Sequence, residues 1–415
     1  MESKNTSKFL YIAASFPPLI GNGGLRALEF SLRLIENNIF PIILTRKKLK
    51  NEMIHSSFIK RIPRSLNIVR AHVLNFSTKT FRQIFTPIFR FDYYFDWLPF
   101  AYKKGKKILR KDKNIEFIFA TGPPFSTFII AYYLKKKFKI PLIVEYRDPW
   151  SYYPYIKKNE QKINKKVDLR YEKKILKSAD VIITVCSELN LFLINKFPFI
   201  KNKPIYEIAN GLNLKEIVET PLKRKSNEVI FTFTGKLYGI RTIVPLLKII
   251  SDLKKEGYFK DFKFTLKIFG SYRENLPFII KELEIQDLIY LGSFIQRLRV
   301  FEELSKCDLA VHIGENFNYP TLAFKVWDYL SMGKKILYLG LNDSYTAKFL
   351  KETNFGITIP LNNLKKGKSI LRNLLNDIRN KKFVKNINKE EIIQFEWEKK
   401  AEKFLEIISK HIYKK

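Results

Sequence analysis

Cysteine and histidine are scarce: two cysteines, Cys186 and Cys307, and four histidines in 415 residues. Two distant thiols beside strand-like runs exclude a disulfide framework and any Cys/His metal spacing, and they read as buried thiols of a reducing cytoplasm. Long hydrophobic runs are also missing. The apolar stretch PFSTFIIAYYL from Pro124 stops at three lysines, well short of the roughly 20 residues a membrane span needs. FLYIAASF, from Phe9, ends in Pro-Pro without a small-x-small cleavage pattern, so it reads as a first strand and not as a signal peptide. These absences place the chain in the cytoplasm, soluble or peripheral at the inner face of the plasma membrane.

Acidic side chains are in deficit as well, 40 Asp and Glu against 76 Lys and Arg, a net charge of +36. Such a field draws phosphates, anionic lipid headgroups or nucleic acid. The basic residues are scattered and do not form one phosphate-tracking stripe with stacking aromatics, so nucleic acid is not the expected partner. One local cluster stands out: KKGKKILRKDK, Lys103 to Lys113, has seven basic residues and one Asp and directly follows the aromatic run FRFDYYFDWLPF. A basic face beside interfacial aromatics points to an anionic membrane surface.

What is abundant is apolar sequence, 46% of the chain. That suffices for two cores of roughly 200 residues each. Short apolar strands alternate with helical patterns: FLYIAAS, FPIILT, IEFIFAT, IPLIVEY and DVIITVC, then again VIFTFTG, FKFTLKIFG, LIYLGS, DLAVHIG and KILYLG. Strands apolar on both faces belong to parallel sheets covered by helices. The pattern predicts an α/β chain with Rossmann-like doubly wound domains at 1–215 and 228–390, a polar hinge from Asn210 to Glu228, and an amphipathic helix in 391–415 crossing back to the first domain. Two such domains facing across a cleft bring the ligand-binding sheet edges together.

Three loops carry candidate chemistry. GNGG, in ASFPPLIGNGGLRALEF, stands between a first strand and a helix, where Gly23 and Gly24 expose backbone N–H groups at the positive end of a helix dipole. Its spacing is neither a dinucleotide fingerprint nor a phosphate-binding loop. TGPPFST again joins strand to helix, and YRDPW ends the next strand with Arg147 and Asp148. These two residues suit either a polar ligand or a structural ion pair. His312, in DLAVHIG, reads as a satisfied core histidine.

FPPLIGNGGLRALEFSLRL, ATGPPFST, PLIVEYRDPW, ADVIITVCSEL and IANGLN, followed by FTGKLYGIRTIVPLL, KIFGS, YLGSF, CDLAVHIG and FKVWDYLSMGKKIL, resemble in order the motifs of a family 4 glycosyltransferase with the GT-B fold. The resemblance implies a nucleotide-sugar donor held by the second domain and an acceptor, a saccharide or lipid-linked saccharide of surface polysaccharide assembly, held by the first. It implies retention of configuration and no metal or other cofactor. Lys236 and Arg241 match the family's cations for the donor diphosphate, where preorganised charge stabilises the departing anion. Asp328 matches the second acid of the family's Glu-x7-Glu pattern, which hydrogen-bonds the ribose. The first acid is replaced by Pro320, leaving Thr321 or Lys325 for the sugar contact. Gly270 and Gly292 end strands that would border the donor, and Asp148 is the first acid or base to test. A nucleotide-sugar epimerase of the same fold is the rival reading.

Overall fold

The computed structural model describes residues 7–19, 22–49, 52, 54, 56–74, 95–151, 161–214, 228–237, 241–272, 274–314, 320–384 and 386–413. Much of the predicted hinge, 215–227, and the start of the aromatic run, 89–94, lie outside them. The chain forms two units, one of residues 1–211 with 397–415 and one of 212–396.

The first unit is built on seven parallel strands: β1 (Ser7–Ile12), β2 (Ile39–Arg46), β3 (Asn67–Ala71), β4 (Ile115–Gly122), β5 (Leu142–Tyr146), β6 (Val181–Thr184) and β7 (Ile205–Glu207), in the order β3-β2-β1-β4-β5-β6-β7. Its helices are α1 (Asn22–Glu36), α2 (Leu98–Lys111), α3 (Ser126–Phe138), α4 (Gln161–Ser178) and α5 (Ser187–Lys196). Phe9, Leu10, Tyr11 and Ile12 are all buried, as a central strand covered on both faces requires.

The second unit carries β8 (Glu228–Leu237), β9 (Lys263–Tyr272), β10 (Ile289–Gly292), β11 (Leu309–Ile313), β12 (Ile336–Gly340) and β13 (Gly356–Pro360), parallel in the order β10-β9-β8-β11-β12-β13. Its helices are α6 (Val244–Lys255), α7 (Leu276–Glu282), α8 (Arg297–Ser305), α9 (Phe324–Ser331), α10 (Tyr345–Glu352), α11 (Leu364–Arg379) and α12 (Lys389–Ile392). Phe231, Phe233, Leu266, Ile268, Val311 and Leu337 of the sheet share one core with Leu371 and Leu375 of α11.

The last helix, α13 (Trp397–His411), belongs to the first unit. Its Phe404 packs on Phe9, Phe30, Phe117 and Phe119. Where the chain leaves and re-enters the second unit, Leu212 pairs with Glu396 and its N–H donates to the Phe395 carbonyl at 3.0 Å. In both sheets the strand order reverses beside the first strand, between β1 and β4 and between β8 and β11, and ligands of such sheets lodge beyond the strand carboxyl ends at that point. No described helix is long and apolar enough to cross a membrane.

Candidate functional site

In the first unit the start of α1 is packed closely by Arg147 and Leu19. A Cβ at Gly23 would run into the Arg147 guanidinium, and one at Gly24 would stand 2.7 Å from the Leu19 carbonyl oxygen. The space a side chain would need at either glycine is taken by the chain's own atoms. Arg147, just past β5, donates from Nη2 to the Pro123 carbonyl. Burial draws its pKa down, while the carboxylates of Glu145 and Asp148 hold it up. An arginine starts so high that it stays charged. A guanidinium thus lies against the start of α1, with Asp148 next to it in sequence.

Two residues the sequence reading passed over anchor this arrangement. Arg26 of α1 and Glu145 of β5 form a fully buried ion pair at 2.6 Å. Thr121 donates to the second Glu145 oxygen at 2.6 Å. Arg26 also donates to the Ile208 and Ala209 carbonyls at 2.8 and 2.9 Å and to Asn210 Oδ1 at 3.1 Å, with its guanidinium over the rings of Phe30 and Trp397. A charge two residues after GNGG in a helix of leucines, and an acid inside the apolar strand LIVEY, were the available signals.

Behind YRDPW, the Ser151 N–H donates to Glu172 Oε2 of α4 at 3.2 Å, and Lys196 of α5 donates to the Ser151 hydroxyl. Burial pushes the Glu172 carboxyl up to about 7, opposed by its bond to Ser151 and by the Lys196 charge. The Tyr146 hydroxyl and the Trp150 indole N–H are buried beside it without a partner among the described residues.

In the second unit β8 and β9 stay paired to their carboxyl ends, Gly235 opposite Gly270 and Lys236 opposite Ser271. Both glycines have positive φ, 132° and 139°. A Cβ at Gly270 would collide with the Gly235 carbonyl, and one at Gly235 would lie 2.6 Å from Lys325 Nζ. At Gly292 the space belongs to the Phe269 ring. Lys325, in the first turn of α9, donates to the Thr234 carbonyl at 3.1 Å and sits 4.7 Å from the Phe233 ring centroid. Tyr329, one turn on, donates to the carbonyls of Val311 and Thr234 at 3.2 and 3.3 Å, which fixes α9 to β8 and β11.

His312 is buried at the end of β11, stacked on Tyr338 of β12, and its Nδ1 has no partner among the described residues. It is therefore a core histidine, as its sequence setting implies. Burial pushes its pKa well down, and the charges of Lys325 and Arg241 push it further. The charges of both cations are thus felt at this imidazole beside the switch point. Lys236 stands exposed at the end of β8. Asp328 is held by Arg297 of α8 at 2.7 Å, and Thr321 is buried ahead of α9. Residues 315–319, just before Pro320, lie outside the described residues. Cys186 and Cys307 are both buried. No group of three His, Cys, Asp or Glu side chains suited to a metal occurs among the described residues.

Two facing questions, which class this is and which relatives it has, are met by comparison with known proteins. Residues 54–216 match the model of Glycosyltransferase Family 4. Over nearly its whole length the chain has the GT-B fold. It is similar to sucrose-phosphate synthase from Thermosynechococcus elongatus, with TM-score 0.71, 15% identity, and 97% and 98% of the two chains covered. It is similar to Anabaena HepE in complex with UDP, with TM-score 0.66, 10% identity, and 97% and 100% covered. The lipopolysaccharide outer core galactosyltransferase WaaB superposes with TM-score 0.61 at 13% identity, covering 97% and 99%. At these identities the likeness is one of fold. No curated protein matches the chain by sequence.

Proposed function

We propose that this protein transfers a sugar from a nucleoside diphosphate donor, bound at the carboxyl edge of the second sheet, to a saccharide or lipid-linked saccharide held by the first domain, with retention of configuration. The observation that carries the reading is the pair of cations, Lys325 and Arg241, whose charges are felt at His312 beside the point where the strand order reverses. Negative charge collects on the nucleoside diphosphate as the glycosidic bond to phosphate breaks, and cations fixed in advance lower that barrier without reorganising. Lys325 is better placed for this than for the sugar contact: its ammonium lies on the Thr234 carbonyl at the strand end. Arg241 and Lys236 complete the set, and the reaction so described needs no metal or other cofactor. Asp328, through the carboxylate Arg297 orients, is assigned the ribose, and Thr321 the sugar.

In the first domain, Arg147 and the N–H groups of Gly23 and Gly24 form a second positive locus, suited to a phosphate on donor or acceptor. Asp148 beside it is the candidate acid or base. The fold relative HepE is known with UDP and with UDP-glucose, which makes a uridine donor the first to try. The relative WaaB acts in lipopolysaccharide, and the exposed Lys103, Lys104, Lys107, Arg110 and Lys111 of α2 fit an acceptor presented at an anionic membrane surface. A panel of nucleoside diphosphate sugars, read by thermal stabilisation and then by transfer, tests the reading: a ligand at 100 times its dissociation constant adds about 2.7 kcal/mol. Turnover of a donor without any acceptor would instead favour an epimerase, and no stabilisation by any member would overturn both.

A further inference from the structure

His312 is the unexplained group of the second domain. Its Nδ1 is buried and has no partner among the described residues, an expense that a purely structural position avoids with an apolar side chain. Its neighbours are identifiable. From β12 the Tyr338 ring stacks on the imidazole at a centroid distance of 5.4 Å, and the Tyr338 hydroxyl is engaged by Ser344. The position lies one residue beyond the Val311–Phe233 pair of β11 and β8, level with Thr234, whose carbonyl takes the Lys325 ammonium. From α9 come Lys325 and Tyr329, whose hydroxyl donates to the carbonyl of the adjacent Val311, and from the segment ahead of α6 comes the charge of Arg241. Among the described residues, the charged groups that bear on His312 are thus both cationic.

Burial first, and the charges of Lys325 and Arg241 after it, keep this imidazole neutral while the site is empty. A nucleoside diphosphate carries about three negative charges near neutral pH, since a terminal phosphate loses its second proton near pH 6. Placed on Lys325 and Arg241 it reverses the sign of the field at His312, and opposite charge within a few ångströms favours the protonated form. We propose that His312 is a proton-linked member of the diphosphate site, neutral in the free protein and imidazolium in the complex, so that binding the nucleotide takes up one proton from solvent. The proton goes from water or buffer to an imidazole nitrogen, no other bond changes, and the site gains a third cation only when the anion is there. The inference rests on the diphosphate reading above.

The test is calorimetric titration of the full chain with UDP, at about pH 7.5, in buffers of different ionisation enthalpy. The slope of the observed enthalpy against buffer enthalpy counts the protons. The His312→Gln variant, which keeps a neutral amide in place of the ring, supplies the background from the nucleotide's own terminal phosphate. Uptake of close to one proton more in the wild type than in the variant is the expected result. Wild-type affinity should also fall roughly tenfold for each pH unit of rise below the imidazolium pKa of the complex and level off above it. UDP binding with a buffer-independent enthalpy overturns the inference, as does equal uptake by both proteins, and either leaves the diphosphate reading standing. Failure of UDP and of other nucleoside diphosphates to bind overturns that reading and the inference with it. If the variant does not fold, the wild-type buffer dependence and the slope of affinity with pH decide alone.

Discussion

Lys325 occupies the room that Gly235 leaves. Its ammonium lies 2.6 Å from where a Cβ at position 235 would stand and bonds to the carbonyl of Thr234, the residue before. The two residues are 90 apart in sequence and form one unit of structure, a cation seated on a glycine at a strand end. Gly23 and Arg147 repeat the device in the first domain.

Gly235→Ala is expected to displace the ammonium and to strain a backbone at φ 132°. The conformation alone costs about 1–3 kcal/mol for a residue with a Cβ. Lys325→Ala should leave stability nearly intact and lower kcat/KM by roughly a hundredfold, the usual effect of removing one preorganised group that stabilises a developing anion. Thermal unfolding and nucleotide-dependent transfer assays, run on both variants, separate backbone from charge. Unchanged transfer in Lys325→Ala removes the lysine from the site.

Arg26 and Glu145 are buried together, so removing one strands the other. Arg26→Met is expected to cost about 3–5 kcal/mol. The double variant Arg26→Met/Glu145→Leu should be less destabilised than that single change. Denaturant unfolding of the four proteins of the cycle measures the coupling, and additive losses would show that the pair does not act as one.

Glu172 gives a pH dependence of definite sign. Its folded pKa, about 7, lies above the unfolded value of 4.5. Between these values the unfolded chain has released a proton that the folded chain keeps, so stability falls as pH rises from 4.5 to 7 and levels off above. The group's share of that loss is about 3 kcal/mol. Glu172→Gln should abolish it, so the variant gains on the wild type above pH 7 and not at pH 4.5. Unfolding curves across that range check this, and an identical pH profile in both proteins would refute it.

The basic face of α2 should bind anionic vesicles, with each lysine near the surface contributing about 1 kcal/mol at low salt. Replacing Lys103, Lys104 and Lys107 by glutamate should abolish sedimentation with phosphatidylserine vesicles and spare soluble-acceptor transfer. Equal sedimentation of both proteins, or none by the wild type in low salt, would dismiss the membrane surface.

The alternation of apolar runs made both sheets legible, because central parallel strands such as FLYI and LIVEY are apolar on both faces whatever their partners. The candidate site was legible in part. Lys236 and Arg241 follow a strand and a glycine, a local pattern, and Arg241 does reach His312's surroundings. The glycines of GNGG and KIFGS could be found but not explained, since what fills the space at Gly23 or Gly270 comes from residues far away or from a facing strand. Arg26, Glu145 and the buried nitrogen of His312 were hidden for the same reason. A buried charge or polar atom announces itself only through what surrounds it in three dimensions, and single positions within apolar runs do not carry that.

The first domain is discontinuous: its β-sheet is complete by Glu207, but Phe404, the ring that covers Phe9, Phe117 and Phe119, is on the last helix. During synthesis, the stretch between Leu212 and Glu396 has wholly left the ribosome before that helix appears. The half of the protein that starts later is therefore free to fold earlier, and the half that starts first waits, with its aromatic floor bare, for the final residues. A premature stop before Phe404 would spare the sheet of the second half and unroof the first.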